Sequence, residues 1–174
     1  LYSVRREMAQ DVPGTLRRVR ELGFQEVELA GTYNLTPAQF RQELDRAGLR
    51  ATAMHVGYER LRDDLPGVIA EAKVLGAQSV GTAWIPHPAG PITVATARQT
   101  AADFNRWGRA LRDQGLRFYY HIHGYEFQPD GGLLPMEVLM RETDPDAVKF
   151  EVDVFWAALP GVDPAALIRQ YPGR

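Results

Sequence analysis

Glycine closes a helix and opens a strand four times in this chain, at Gly23, Gly48, Gly76 and Gly115. That punctuation limits the fold more than any other feature, because the residue just past a helix favours glycine. Short apolar runs alternate with longer amphipathic ones. The strand candidates are Leu1-Tyr2-Ser3-Val4, Glu26 to Ala30, Leu49 to Val56, Ser79 to Trp84, Leu116 to His123 and Val148 to Phe155. Helical periodicity predicts helices over roughly Pro13 to Leu22, Pro37 to Ala47, Leu65 to Leu75, Thr96 to Gln114, Leu133 to Glu142 and Pro164 to Tyr171. Thr36-Pro37 supplies an N-cap followed by proline at the first helical position. Serial βα units of this kind predict an α/β fold with a parallel sheet.

Two architectures compete. A doubly wound fold is disfavoured because Arg5-Arg6-Glu7-Met8, and no glycine-rich phosphate loop, follows the first strand candidate. A (β/α) TIM-type barrel needs eight units and roughly 250 residues. The chain has 174 residues, so the expectation is one barrel domain over residues 1–174 with about six of eight units, strands seven and eight being absent. Such an object has open strand edges, which imply a longer parent chain or a partner, a homo-oligomer included.

Side-chain parity then separates the two faces of the sheet. Strands buried on both faces should read as continuous apolar runs, yet three of these alternate. Leu116, Phe118, Tyr120 and Ile122 oppose Arg117, Tyr119, His121 and His123; Val148, Phe150, Val152 and Val154 oppose Lys149, Glu151 and Asp153; Val27 and Leu29 oppose Glu26 and Glu28. The apolar set must meet the helices, which sends the polar set into the lumen. Buried acids and imidazoles cost several kcal/mol unless paired, hydrogen-bonded or bound to a metal. Glu28, His55, His121, His123 and Asp153 gather at the carboxyl ends of strands, where barrels place their chemistry.

Tyr120-His121-Ile122-His123-Gly124-Tyr125-Glu126 is the strongest local pattern. His-x-His on a strand puts two imidazoles on one face, about 6.5–7 Å apart. With Glu126 on the following loop and Asp153 from the next strand, the set suits one divalent ion such as Mn²⁺, Zn²⁺, Co²⁺ or Mg²⁺. Interior histidines in a polar hydrogen-bond network are the alternative. Glu28, His55, Trp84 and His87 are candidate substrate contacts; ion pairing of Glu28 with Arg117 or Lys149, a structural hydrogen bond for His55 and simple packing of Trp84 are the competing readings.

Composition excludes several classes. The net charge of −2 lacks the basic footprint of a dedicated nucleic-acid binder. No cysteine is present, so neither disulfides nor thiolate metal sites exist. No apolar run is long enough to span a bilayer. The expectation is therefore a cytoplasmic protein without nucleic-acid or membrane partners.

The pieces Leu1 to Arg5 with Pro13 to Leu16, Gly23 to Gly31, Tyr120 to Phe127 and Phe150 to Trp156 resemble the xylose isomerase-like barrel superfamily of sugar phosphate isomerases and epimerases. The resemblance implies one divalent metal and a sugar or keto-sugar substrate. It also implies proton abstraction next to a carbonyl, serving isomerisation or epimerisation, or β-elimination by a lyase or dehydratase. It carries a metal-ligand role onto Asp153 and leaves His121 or Glu126 as the ligand of the preceding strand. His123 falls where relatives keep a histidine facing substrate, so His123 and Glu126 are the expected catalytic pair. An abasic-site endonuclease and a catalytically incomplete barrel with a structural or subunit role are the rival readings.

Overall fold

A computed structural model describes all 174 residues. The chain opens with a 3-10 turn, Tyr2–Val4, and helices α1 (Arg5–Met8) and α2 (Val12–Glu21). Then come β1 (Glu26–Leu29), α3 (Pro37–Ala47), β2 (Arg50–His55), α4 (Tyr58–Asp63), α5 (Leu65–Leu75) and β3 (Ser79–Thr82). The second half holds α6 (Val94–Arg112), β4 (Arg117–His121), α7 (Pro135–Glu142), β5 (Val148–Glu151), α8 (Val154–Ala158) and α9 (Pro164–Gln170).

The expected first strand is corrected. Leu1–Val4 coils because its own backbone closes on itself, Val4 N–H donating to the Leu1 carbonyl at 3.2 Å. The sheet therefore has five strands. All are parallel and they lie side by side in strict chain order, β1-β2-β3-β4-β5. A doubly wound sheet would reverse its order at a switch point. Sequential winding is that of a TIM-type barrel, as the punctuation predicted. No helix is long and apolar enough to cross a membrane.

Local sequence explains the helix ends. Thr36 and Gln39 form a reciprocal capping box on α3, worth about 1 kcal/mol. Gly48 and Gly76 end α3 and α5 in the left-handed conformation, at φ 70° and 77°, which residues with a Cβ adopt at a cost. The strand expected to run to Phe155 instead stops at Glu151. Asp153 accepts the backbone N–H groups of Phe155 and Trp156 and starts α8, so Val154 leaves the apolar face and is exposed.

The apolar core lies between the sheet and its helices. Phe118 and Tyr120 of β4 meet Phe104 and Trp107 of α6, with Phe104 5.1 Å from both strand rings. All four are buried, and truncating any one to alanine removes about 3–5 kcal/mol. Parity thus holds where the helices pack. The other face of the same strands carries polar side chains, among them Tyr119, His121 and Glu151.

Gly108 of α6 sits against the chain entering β5: a Cβ there would lie 2.3 Å from the Ala147 carbonyl oxygen. Alanine gains about 1 kcal/mol of helix propensity over glycine, but backbone overlap costs about 1–3 kcal/mol. Gly108→Ala should lower the urea midpoint without changing the slope of the transition. A more stable variant would contradict this packing.

Candidate active site at the carboxyl ends of the strands

The last inward-facing residues of four strands converge. Glu28 ends β1, His55 ends β2, Tyr119 and His121 end β4 and Glu151 ends β5. Between them β3 contributes Gly81, whose missing side chain makes the room: a Cβ there would lie 2.3 Å from the Tyr119 ring. The Tyr119 hydroxyl donates to the Glu28 carboxylate. His55 Nε2 lies 3.2 Å from Glu28 Oε1 and 3.4 Å from Glu151 Oε2. His121 Nδ1 is 2.5 Å from Glu151 Oε2, and its Nε2 is 3.6 Å from Asp153 Oδ2.

These contacts set the charges. Burial disfavours the Glu151 carboxylate, but the short contacts with His121 and His55 win and hold its pKa at about 2. Burial would likewise lower His55, yet Glu151 and Glu28 raise it to about 9. Glu28 stays below the ordinary carboxylate range: burial pushes it up, and contact with His55 and the Tyr119 hydroxyl more than offset that. Tyr119 is pushed well up, first by burial and then by Glu28.

The group fits a metal ion. One ligand atom from each of His55, His121 and Glu151 lies within 4.8 Å of the other two, so small side-chain movements would bring all three to the roughly 2.0–2.2 Å that one metal centre requires. His55 Nε2 is buried and aligned for a hydrogen bond to nothing in the protein. Two imidazoles and a carboxylate, without thiolate, suit Mn²⁺, Zn²⁺, Co²⁺ or Mg²⁺.

The structure treats the expected site residues differently. His121 and His55 are inside the group and Glu28 touches it. Asp153 stands beside it, with Oδ1 committed to capping α8 and Oδ2 turned to His121. Glu126 is fully buried and accepts from the Tyr120 hydroxyl and from His123 N–H at 3.1 Å. Tyr120 points to the helices, so Glu126 lies behind the sheet, folded there by the 3-10 turn Tyr125–Phe127. It braces the loop that carries His123 and stands outside the His55–His121–Glu151 group.

His123 does reach the mouth. Its ring is 4.8 Å from that of His121, and its Nδ1 is buried without a hydrogen-bond partner. Burial, then the neighbouring His121, keep its pKa below the usual imidazole value. Around it stand Trp156 at 5.5 Å, Tyr125 at 6.1 Å and Trp84 at 6.4 Å between ring centroids. Trp84 stacks on His87 at 4.6 Å; both belong to this aromatic wall and neither to the acid–imidazole group.

Glu151, Tyr119 and Trp156 were not among the expected site residues. Glu151 and Tyr119 lay on the polar side of their strands by parity. Because β5 stops at Glu151, two residues before Asp153, Glu151 is the last strand residue to face inward.

The sequence matches no family model and no curated protein. Two solved structures of sugar phosphate isomerase/epimerase proteins from Parabacteroides distasonis share 26% and 23% identity, with TM-scores of 0.83 and 0.86. Each match covers 99% of this chain, and 70% and 74% of the respective neighbours. A xylose isomerase-like TIM-barrel protein from Mycobacterium smegmatis in complex with magnesium matches at 19% identity and TM-score 0.63, over 84% of this chain and 57% of that one. AP endonuclease and dehydratase structures share the fold as well. The chain has the fold of the xylose isomerase-like TIM barrels. Within that class its structural neighbours include sugar phosphate isomerase/epimerase proteins.

Burial raises the Glu126 pKa above its ordinary 4.5, outweighing the hydrogen bonds it accepts. The folded state therefore binds this proton more tightly than the unfolded one. Its contribution to stability is full below about pH 4.5 and is lost as pH rises through the folded value. Glu126→Gln should remove that loss, so urea titrations from pH 4.5 to 8 should show the variant gaining on the parent as pH rises. A difference independent of pH would contradict a strained carboxylate.

Proposed function

We propose that this chain carries the metal and substrate site of a sugar isomerase/epimerase-like enzyme that abstracts a proton next to a carbonyl. The observation that supports it most is the convergence of His55, His121 and Glu151 from three strand ends onto one concave face. These three residues would hold a divalent ion, with Glu28 and Asp153 at its flanks. When bound, the ion polarises the substrate's carbonyl oxygen and offsets the negative charge that develops as the proton leaves.

The chain's own groups do the rest. His123 offers an unpartnered buried nitrogen at the rim, and it moves the proton. Glu126 holds its backbone N–H in place from behind the sheet. Glu28, anchored by Tyr119, accepts a substrate hydroxyl. Trp84 and His87 form part of the surface that excludes water from one side. The same proton abstraction serves β-elimination where the next carbon bears a leaving group, so a lyase or dehydratase is the second reading, supported by the dehydratase that shares the fold.

Calorimetric titration with Mn²⁺ tests the ligand set: His121→Gln and Glu151→Gln should each weaken binding at least tenfold. Exchange of the substrate's carbon-bound hydrogen with D₂O, followed by NMR, tests the chemistry. His123→Ala should slow it by about 10²–10⁴-fold. Unchanged metal affinity in both ligand variants, or undiminished exchange in His123→Ala, would contradict the assignment.

A further inference from the structure

His123 sits on a loop, and its Nδ1 is buried with no hydrogen-bond partner. The aim of its imidazole therefore depends on the rings packed around it. Trp84, one of these, is itself half exposed. Tyr125 is different, because its far end is tied down. Its ring lies parallel to that of His123, at an interplanar angle of 3° and 6.1 Å between centroids. On the buried side its oxygen accepts the Ile85 N–H at 3.1 Å and meets the Tyr120 hydroxyl at 2.8 Å.

Each phenol has one proton to donate, which gives this chain of hydrogen bonds a single direction. Tyr120 gives its proton to the Glu126 carboxylate, so the proton between the two phenols comes from Tyr125. Tyr125 thus accepts from Ile85 and donates to Tyr120. Glu126 completes the chain by accepting the His123 N–H at 3.1 Å. One end is the backbone beside Trp84; the other is the backbone of His123. The Tyr125 ring also packs on His87 at 4.4 Å and on Trp84 at 5.2 Å between centroids. Linked hydrogen bonds strengthen one another. Tyr120 and Ile85 are buried to within 1%, so solvent does not replace a missing link.

Resting on the reading of His123 as the group that moves the proton, we infer that Tyr125 is a positioning residue for it. Its ring sets the orientation of the His123 imidazole, and its buried hydroxyl, held between Ile85 and Tyr120, keeps that ring in place. Small misplacements of a reacting group cost up to about a hundredfold in rate.

The test uses the full natural chain loaded with Mn²⁺ and a panel of four- to six-carbon keto- and aldo-sugars, free and as terminal phosphate esters, read by D₂O exchange. Tyr125→Phe keeps the ring and deletes the hydroxyl. For the sugar that the parent exchanges fastest, it should lower kcat about ten- to a hundredfold with KM little changed. Mn²⁺ affinity should stay at the parent value. Because Tyr125 acts through His123, the same substitution should cost nothing further in a His123→Ala background. Histidine-labelled protein adds an NMR readout without turnover: the ring signals of His123 should shift and broaden in Tyr125→Phe, while those of His55 stay in place. Tyr120→Phe leaves Tyr125 its hydroxyl but removes the acceptor; it should act in the same direction, and it carries the test if Tyr125→Phe does not fold. A parent-like kcat with unmoved His123 signals overturns this inference and leaves the proposed function standing. An equal loss in both backgrounds also overturns it, since the hydroxyl would then serve the fold at large. Undiminished exchange in His123→Ala, or exchange with no sugar of the panel, overturns the proposed function and this inference together.

Discussion

Placing Glu28, His55, His121 and Glu151 on one concave face is the constraint on which the rest of the structure depends. Each group loses hydration there, and unpaired ions in such a place cost several kcal/mol apiece. The observed geometry answers that cost pairwise: His121 against Glu151, His55 between Glu28 and Glu151, and Tyr119 against Glu28. The opposite shifts of His55 and Glu151, to about 9 and about 2, are the electrostatic signature of charges made to share a site. Gly81 belongs to the same solution, since any side chain there would evict Tyr119.

Two layers of support hold this arrangement. Behind the strands, Phe104 and Trp107 press on Phe118 and Tyr120, holding β4 against α6 by burial. Tyr120 also reaches a buried polar chain: it bonds to Glu126, contacts the Tyr125 hydroxyl at 2.8 Å, and Tyr125 in turn accepts from Ile85 N–H at 3.1 Å. That chain ties the loop bearing His123 to the loop bearing Trp84. The loops bearing His123 and Trp84 are therefore positioned by one network of hydrogen bonds through Tyr120 and Tyr125.

Much of this was legible in the residues themselves. Period-two alternation in β4 and β5 separated the helix-facing from the lumen-facing side chains, and the glycines after α3 and α5 marked where strands begin. Local geometry decided the rest. Leu1–Val4 has a strand-like composition but closes as a turn, with Val4 N–H donating to the Leu1 carbonyl. Asp153 matches a strand-end carboxylate in type, yet its oxygen serves the N-terminus of α8, leaving Glu151 as the last strand residue to face inward. Glu126 follows His-x-His closely enough to look like a ligand. A turn of three residues carries it to the other side of the sheet, and no periodicity signals that reversal. The fold, moreover, hosts isomerases, dehydratases and nucleases alike, so function here rests on the site and not on the architecture.

Anomalous diffraction from crystals soaked in Mn²⁺ examines the central claim most directly. The account predicts one strong peak within coordinating distance of His55, His121 and Glu151, with Glu126 still bonded to Tyr120. A peak held by other residues, or side chains from these strand ends splayed toward solvent with no ion among them, would contradict it.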